Sequence, residues 1–194
     1  MEFTHKYDSY NDYIKFQKIK SSDPVRQKKW KTIEWQYKID IFQKTFNDNI
    51  NIIKNCSNAL CLGSRTGQEV VALKNLGVKK VIGIDLVSFE PYTIEGDIHN
   101  LNFDNESFDL LFTNIFDHSL YPVKFVSEME RVCKPKGYII LHLQLGIDQD
   151  RFTEVIIKNI NEIKNLFVNS NLIKEQNIDT KIIAMNYELI FQKK

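Results

Sequence analysis

Apolar and polar positions in the middle of the chain follow two patterns, short apolar runs and stretches with an apolar residue at every third or fourth position. The short runs predict strands at 58–62, 81–85, 91–95, 108–113, 138–144, 171–178 and 181–192. The periodic stretches predict helices at 67–76 and 122–133. Strands that alternate with helices in this way are typical of a three-layer α/β sandwich.

Longer periodic stretches lie on either side of this core. Asp23 can cap a helix that begins at Pro24, and an apolar stripe then predicts one amphipathic helix from Val25 to about Phe46. A shorter helix is predicted around Tyr7–Ile14, and a second apolar stripe predicts a helix over 150–169. We expect four residues of the first stripe to pack on the sheet: Ile33, Ile41, Phe42 and Phe46. Three aromatic residues remain open between core and pocket wall: Trp30, Trp35 and Tyr37.

Composition narrows the class of protein. A chain of 194 residues that is 43% hydrophobic can form one domain with a short accessory segment. Its net charge of +1 disfavours nucleic-acid binding driven by bulk electrostatics, and a solvated helix face is the favoured interpretation of the basic run Arg26–Lys31. Three unevenly spaced cysteines indicate a reducing cytoplasm, and no apolar run approaches the roughly 18 residues of a membrane span.

The run Ala59–Leu73 carries the first chemical signal. Its strand ends at Gly63, a tight turn leads through Gly67, and a helix follows whose free N–H groups favour a carboxylate or phosphate. Eighteen residues after Gly67, the next strand ends in Asp85. An acid at the tip of the second strand of a βαβ unit is placed to bind a ribose diol.

Four further blocks follow this run. They are VIGID at 81–85, GDIHNLNF at 96–103, FDLLFTN at 108–114, and EMERVCKPKG at 128–137 with the strand after it. In this order the blocks make residues 59–143 similar to the class I S-adenosylmethionine-dependent methyltransferases, type 11. The family usually has D-x-G-x-G-x-G in its first block. Here Cys61 replaces the acid and Arg65 replaces the middle glycine.

The resemblance implies a Rossmann-like sandwich with a mostly parallel seven-stranded sheet that a C-terminal antiparallel hairpin closes. Residues 51–194 would form the methyltransferase domain, and residues 1–50 a helical cap over the cofactor. It implies S-adenosylmethionine as the cofactor, bound by Gly63, Ser64, Arg65, Gly67, Asp85, Leu86, Asp97, Ile98 and Asn114. Asp97 and Ile98 would contact adenine, and Asn114 the methionine end. The Arg65 side chain would turn away to solvent, or pair with Glu69 or the methionine carboxylate.

The acceptor side is expected around Asp117 and His118, which resemble the "N…EH" segment of the family. Histidine is the usual base near neutral pH, so His118 is the candidate catalytic base, with Asp117 beside it. His99 and His142 are weaker candidates, His142 being expected half-buried in its strand. Eight acids and no Lys or Arg lie between Val81 and Val123, which predicts an acidic cleft edge suited to a sulfonium. No metal-ligand spacing is present.

The sequence therefore predicts a cytoplasmic methyltransferase that acts on a small molecule, with oxygen as the favoured methyl acceptor and a sugar or sugar conjugate as the favoured substrate. Two alternatives stay open, a nucleic-acid methyltransferase that uses the basic helix and an inactive methyltransferase-like scaffold suggested by Cys61 and Arg65. An NAD-dependent oxidoreductase would share the logic of Asp85, but the later blocks disfavour it. The oligomeric state is left open.

Overall fold

A computed structural model describes residues 1–146, 150–180 and 184–194. Seven strands form one sheet in the order β4-β3-β2-β5-β6-β9-β8. They are β2 (Asn58–Leu62), β3 (Lys80–Asp85), β4 (Thr93–Glu95), β5 (Phe108–Thr113), β6 (Cys133–Leu143), β8 (Ser170–Asn177) and β9 (Tyr187–Lys193). In this order, the five strands β4, β3, β2, β5 and β6 pair in parallel, and β9 runs antiparallel to its neighbours β6 and β8. The mostly parallel sheet with its C-terminal hairpin is therefore confirmed.

The remaining elements surround this sheet. The helices are α1 (Tyr10–Ser22), α2 (Pro24–Lys31), α3 (Trp35–Asn47), α4 (Ile50–Ile53), α5 (Gln68–Asn75), α6 (Pro122–Val132) and α7 (Ile160–Lys164). A single 3₁₀ turn covers Phe116–His118, and β1 (Glu2–Phe3) pairs antiparallel with β7 (Val155–Ile156). In the described part of the chain, no helix is long and apolar enough to cross a membrane.

Alternate residues of each central strand face opposite layers. On β2, Leu60 and Leu62 point into a core shared with α6 and α7, whereas Ala59 and Cys61 point into a second core shared with α3, α4 and α5. Burying both faces of the strands explains why their sequences read as continuous apolar runs. The sandwich therefore has three layers, as the sequence predicts.

The prediction of a single helix from Val25 to Phe46 is wrong, because the chain breaks between α2 and α3. Thr32 leaves helical geometry, and the buried Glu34 that follows forms ion pairs with Lys29 (2.8 Å) and Lys38 (2.5 Å). The break also turns Ile33 outward, where it is 74% exposed. The expectation that Ile33 packs on the sheet is therefore wrong.

The helix predicted over 150–169 is also wrong in most of its length. The backbone of Glu154 accepts from the N–H of Thr4 and donates to the carbonyl of Asp117, which holds this segment extended. These long-range bonds replace helical ones, and only α7 remains helical. Near the N-terminus, the short helix predicted around Tyr7–Ile14 is the longer α1. Of the strand predicted at 181–192, residues 181–183 lie outside the described residues.

Candidate active site

The turn between β2 and α5 is shaped by two glycines. The N–H groups of Gly63 and Ser64 donate to the carbonyl of Ile84, at 2.9 and 3.0 Å, which ties the turn to the end of β3. Gly63 has φ +72°, and a Cβ there would collide with the side chain of Ile115. Gly67 has φ +85° and lies against Tyr92. Both conformation and space therefore require glycine at these positions.

Ser64 and Gly67 belong to the same turn, on the side that packs against the sheet. The Ser64 hydroxyl is buried against Gly83, at a point where any side chain on residue 83 would collide with it. Neither Ser64 nor Gly67 lines the cavity described below. They support the turn from the sheet side, and a direct contact between either residue and a cofactor stays a prediction.

Arg65 occupies the position of the missing glycine. Its φ of +44° is left-handed, so the backbone keeps the shape that glycine normally provides. Its guanidinium carbon lies 5.0 Å from the ring centre of Trp30, a cation–π contact that directs the side chain toward α2. Arg65 still lines the cavity. Stacking on Trp30 was not among the orientations that the sequence analysis named for Arg65.

Asp85 ends β3 at the centre of the site and is buried. Its carboxylate accepts hydrogen bonds from the N–H groups of Arg65 (2.9 Å) and Val87 (3.3 Å) and from the hydroxyl of Ser21 (3.2 Å). Burial raises the pKa of Asp85, and the backbone donors oppose that shift. Ser21 belongs to α1, so the N-terminal segment reaches the acid that was expected to bind ribose.

Asp97 belongs to a hydrogen-bonded network. One carboxylate oxygen accepts from the His99 N–H (2.8 Å) and the other from the Tyr10 hydroxyl (2.7 Å). The N–H of Tyr121 donates to His99 Nε2 (3.2 Å), so Nε2 accepts and the ring proton lies on Nδ1, beside Tyr10. His99 is buried and structural here. A contact between Asp97 and adenine stays a prediction, because α1 already supplies a donor.

His118 presents one nitrogen to the cavity. Its Nδ1 lies 2.8 Å from the carbonyl oxygen of Phe152, which can only accept, so Nδ1 carries the proton of the neutral ring. Nε2 then keeps its lone pair, 3.4 Å from the Lys20 ammonium and 3.8 Å from the carboxylate of Asp117. The Lys20 ammonium also pairs with Asp150. This geometry leaves His118 able to accept a proton at Nε2.

A cavity of about 390 Å³, within the size range of small-molecule sites, joins these groups at the carboxyl edge of the sheet. Nine of the eleven residues that the sequence analysis selected line it: Gly63, Arg65, Asp85, Leu86, Asp97, Ile98, Asn114, Asp117 and His118. His142 lies elsewhere. It is fully buried in β6, against the expectation of half-burial, and its Nε2 lies 3.0 Å from the carboxylate of Glu188.

The N-terminal helices supply cavity residues that sequence analysis missed. They include Tyr13, Gln17, Lys20 and Ser21 of α1, with Glu34 and Lys38 at the start of α3. Tyr37, which the sequence left open between core and pocket wall, also lines the cavity. The prediction of an acidic cleft edge is therefore only half right, because Lys20, Lys38 and Arg65 line the same cavity. The spacing of Tyr13, Gln17 and Ser21 at i, i+4 and i+8 marks one helix face, and that periodicity was the available signal.

Residues 60–141 match the family model described as methyltransferase domain, type 11. The chain carries a class I S-adenosylmethionine-dependent methyltransferase domain. S-adenosylmethionine is the cofactor of this domain, and the protein is a methyltransferase. No curated protein sequence matches the chain.

Solved structures share the fold of this methyltransferase. A 1,6-didemethyltoxoflavin-N1-methyltransferase from Burkholderia thailandensis, with its substrate and S-adenosylhomocysteine bound, superimposes with a TM-score of 0.70 at 9% identity, covering 98% of this chain and 92% of that one. A methyltransferase from Aquifex aeolicus gives 0.60 at 15% identity, covering 97% and 100%. A Haloferax volcanii putative methyltransferase in complex with the Trm112 activator gives 0.57 at 15% identity, covering 78% and 92%. At such identities the likeness concerns the fold.

The residues present fit the cofactor. Buried Asp85 at the tip of β3 offers carboxylate oxygens to hydroxyl donors, and Leu86 and Ile98 provide apolar surface nearby. At the other end, the buried carboxylate of Glu69 accepts from the side-chain amide of the cavity residue Asn114 through one oxygen, and its other oxygen has no hydrogen-bond partner among the described residues. An adenosyl group whose amino-acid end carries an ammonium has the complementary chemistry.

Proposed function

We propose that this methyltransferase methylates a hydroxyl group of a small molecule, with a sugar or sugar conjugate as the favoured acceptor. The observation that carries the proposal is the placement of His118, which lines the cavity and whose Nδ1 lies 2.8 Å from the carbonyl oxygen of Phe152, so that Nε2 is the nitrogen left to accept a proton. A hydroxyl must lose its proton when it is methylated, and a positioned base speeds that loss. Nε2 of His118 is the base that this cavity offers.

The cofactor, when bound, supplies an electrophilic methyl group on a sulfonium. The role of the chain is then mostly alignment, because an in-line displacement depends on how the two reacting atoms are positioned. Asp85 binds the ribose hydroxyls in exchange for the hydroxyl of Ser21, Leu86 and Ile98 flank adenine, and Asn114 lies at the methionine end. Gly63 brings the backbone close to the ligand. The positions of Gly63, Asp85, Leu86, Ile98 and Asn114 around one cavity support these assignments.

Charges around His118 suit proton transfer. The acceptor hydroxyl replaces the Lys20 ammonium as the donor to Nε2. Burial, together with the nearby Arg65, lowers the pKa of Lys20, so the cost of moving this ammonium is reduced. Once His118 has taken the proton, the carboxylate of Asp117, 3.8 Å from Nε2, stabilises the imidazolium. Asp117 stabilises the protonated His118 by its charge and does not itself take the proton of the acceptor hydroxyl.

The basic residues of α2 favour a small acceptor over a nucleic acid. Arg26 lies over the ring of Phe152 (5.6 Å), and Lys31 lies over the ring of Phe89 (4.1 Å). Lys29 pairs with Glu34. Since these cations contact groups of the protein, they offer few free charges to a phosphate backbone. The Burkholderia neighbour was solved with a small-molecule substrate, which agrees with this assignment.

The inactive-scaffold alternative rests on Cys61 and Arg65, and the structure accommodates both. Cys61 is fully buried in β2, and Arg65 adopts the left-handed backbone of the glycine that it replaces.

We further propose a cytoplasmic location, which three buried free cysteines support. A helical cap at 1–50 and a methyltransferase domain at 51–194 stay the proposed division of the chain.

Methyl transfer from labelled cofactor tests the proposal. Purified protein is incubated with S-adenosylmethionine carrying a labelled methyl group and, in parallel, with sugars and sugar conjugates, transfer RNA, and unfolded protein. We expect label in a hydroxyl-bearing small molecule, as an ether that resists mild alkali. The His118→Ala variant is the matched control and should lose the transfer. Label recovered mainly in RNA or protein would contradict the proposal.

A further inference from the structure

Glu69 carries a buried carboxylate in the first turn of α5. The residue is 3% exposed. One carboxylate oxygen accepts from the Asn114 side-chain amide at 3.4 Å, and the other has no hydrogen-bond partner among the described residues. Buried carboxylate oxygens are costly when they lack a donor. Glu69 does not line the cavity itself, but its partner Asn114 does, so the carboxylate is one hydrogen bond away from the cavity lining.

The groups around Glu69 leave its charge poorly balanced. Lys38 of α3 and Arg65 of the turn attract it, but Lys38 is bound to Glu34 at 2.5 Å and Arg65 stacks on Trp30. Asp85 at the end of β3 repels it. Burial raises the pKa of Glu69 to about 7. The carboxylate therefore gains most from a cation that arrives from the cavity.

The neighbouring strand position explains why an acid is present here. Cys61, on β2, stands where the family usually has an acid, and its thiol is fully buried. Glu69 is close enough that its charge, in addition to burial, raises the pKa of the Cys61 thiol well above the ordinary value. The chain thus has a thiol at this position of β2 and a carboxylate near it, on the following helix.

We infer that Glu69 receives the α-ammonium group of the cofactor's methionine end, in place of the acid that Cys61 replaces. The inference rests on the assignment of S-adenosylmethionine to this cavity and adds the residue that recognises its amino-acid end. An ammonium group supplies both the N–H donor that the free carboxylate oxygen lacks and the positive charge that the site lacks. Binding then ionises Glu69 and releases its proton when the solution is slightly acidic.

Calorimetry with two ligands isolates this contact. S-adenosylhomocysteine has the amino-acid end, and 5′-methylthioadenosine has the same nucleoside thioether without it. In Glu69→Gln the affinity for S-adenosylhomocysteine should fall about tenfold or more, whereas the affinity for methylthioadenosine should change less than about twofold. At pH 6.5, in buffers of different ionisation enthalpy, wild-type protein should release a proton on binding S-adenosylhomocysteine, and the variant should not.

Controls separate this inference from its alternatives. Glu130→Gln removes another buried carboxylate, on α6, whose partners Asn169 and Ser170 do not line the cavity, and should bind both ligands as wild type does. Equal loss of both ligands in Glu69→Gln, or unchanged affinity with the same proton release, would overturn the role of Glu69. If wild-type protein bound methylthioadenosine but not S-adenosylhomocysteine, the inference would fail while the nucleoside site stood. Binding of neither ligand would overturn the cofactor site itself.

Discussion

Replacing Glu69 with glutamine should make the ligand-free protein more stable above neutral pH. Burial raises the pKa of Glu69 from 4.5 to about 7. Between these values the folded state holds a proton that the unfolded state has released, so the free energy of unfolding falls as the pH rises. A shift of this size corresponds to about 3 kcal/mol in the wild-type protein. Glutamine is similar in shape and does not ionise, so the variant avoids that loss.

Urea unfolding of both proteins, followed by tryptophan fluorescence between pH 5 and pH 8, measures the difference. The variant should exceed wild type in free energy of unfolding by less than about 1 kcal/mol at pH 5 and by about 3 kcal/mol at pH 8. Glu130→Gln is the matched control and should be less stable than wild type, because it disturbs the hydrogen bonds that the carboxylate of Glu130 accepts from the backbone and side-chain nitrogens of Asn169 and from the hydroxyl of Ser170. A Glu69→Gln difference that stayed constant with pH, or a less stable variant at pH 8, would refute the reasoning.

Three other predictions concern the base, the N-terminal helix and nucleic acid. His118→Ala should lower turnover about 10²-fold and remove the acidic limb of the pH–rate profile, with cofactor affinity unchanged in calorimetry; intact turnover would make His118 structural. Tyr10→Phe removes a donor to Asp97 and should cost about 1 kcal/mol in thermal unfolding, whereas an unchanged midpoint would show that the contact contributes nothing. In mobility-shift assays RNA and DNA should bind weakly, and submicromolar affinity lost on charge reversal of Lys28 and Lys29 would contradict the small-molecule assignment.

The sheet and the acids at its edge could be predicted because their signals are local. Each central strand is a short apolar run, and Asp85 ends such a run, so sequence position alone placed it at the carboxyl edge. Gly63 was predictable for the same reason, since a glycine directly after a buried strand marks the turn. Such local patterns predict the strands correctly because helices bury both faces of the sheet, so each central strand needs a continuous apolar run.

The parts that could not be predicted depend on contacts between distant segments. Ile33 fits the helical stripe in sequence, yet the ion pairs of Glu34 break the helix beside it and leave Ile33 exposed. Lys20 entered the site only because α1 lies over Asp150, a carboxylate 130 positions further along the chain. Periodicity does not report which element a polar side chain will meet. The cationic half of the cavity was therefore missed.

The most direct test of the account is the affinity of S-adenosylhomocysteine for wild-type protein and for Asp85→Ala, measured side by side by calorimetry. Asp85 is proposed to accept from the ribose hydroxyls, and leaving them unpaired costs about 1–3 kcal/mol. The account predicts one ligand per chain for wild type and an affinity lowered about tenfold to hundredfold in the variant, with the fold intact. Wild-type protein that does not bind at millimolar ligand, or a folded variant that binds equally well, would contradict it.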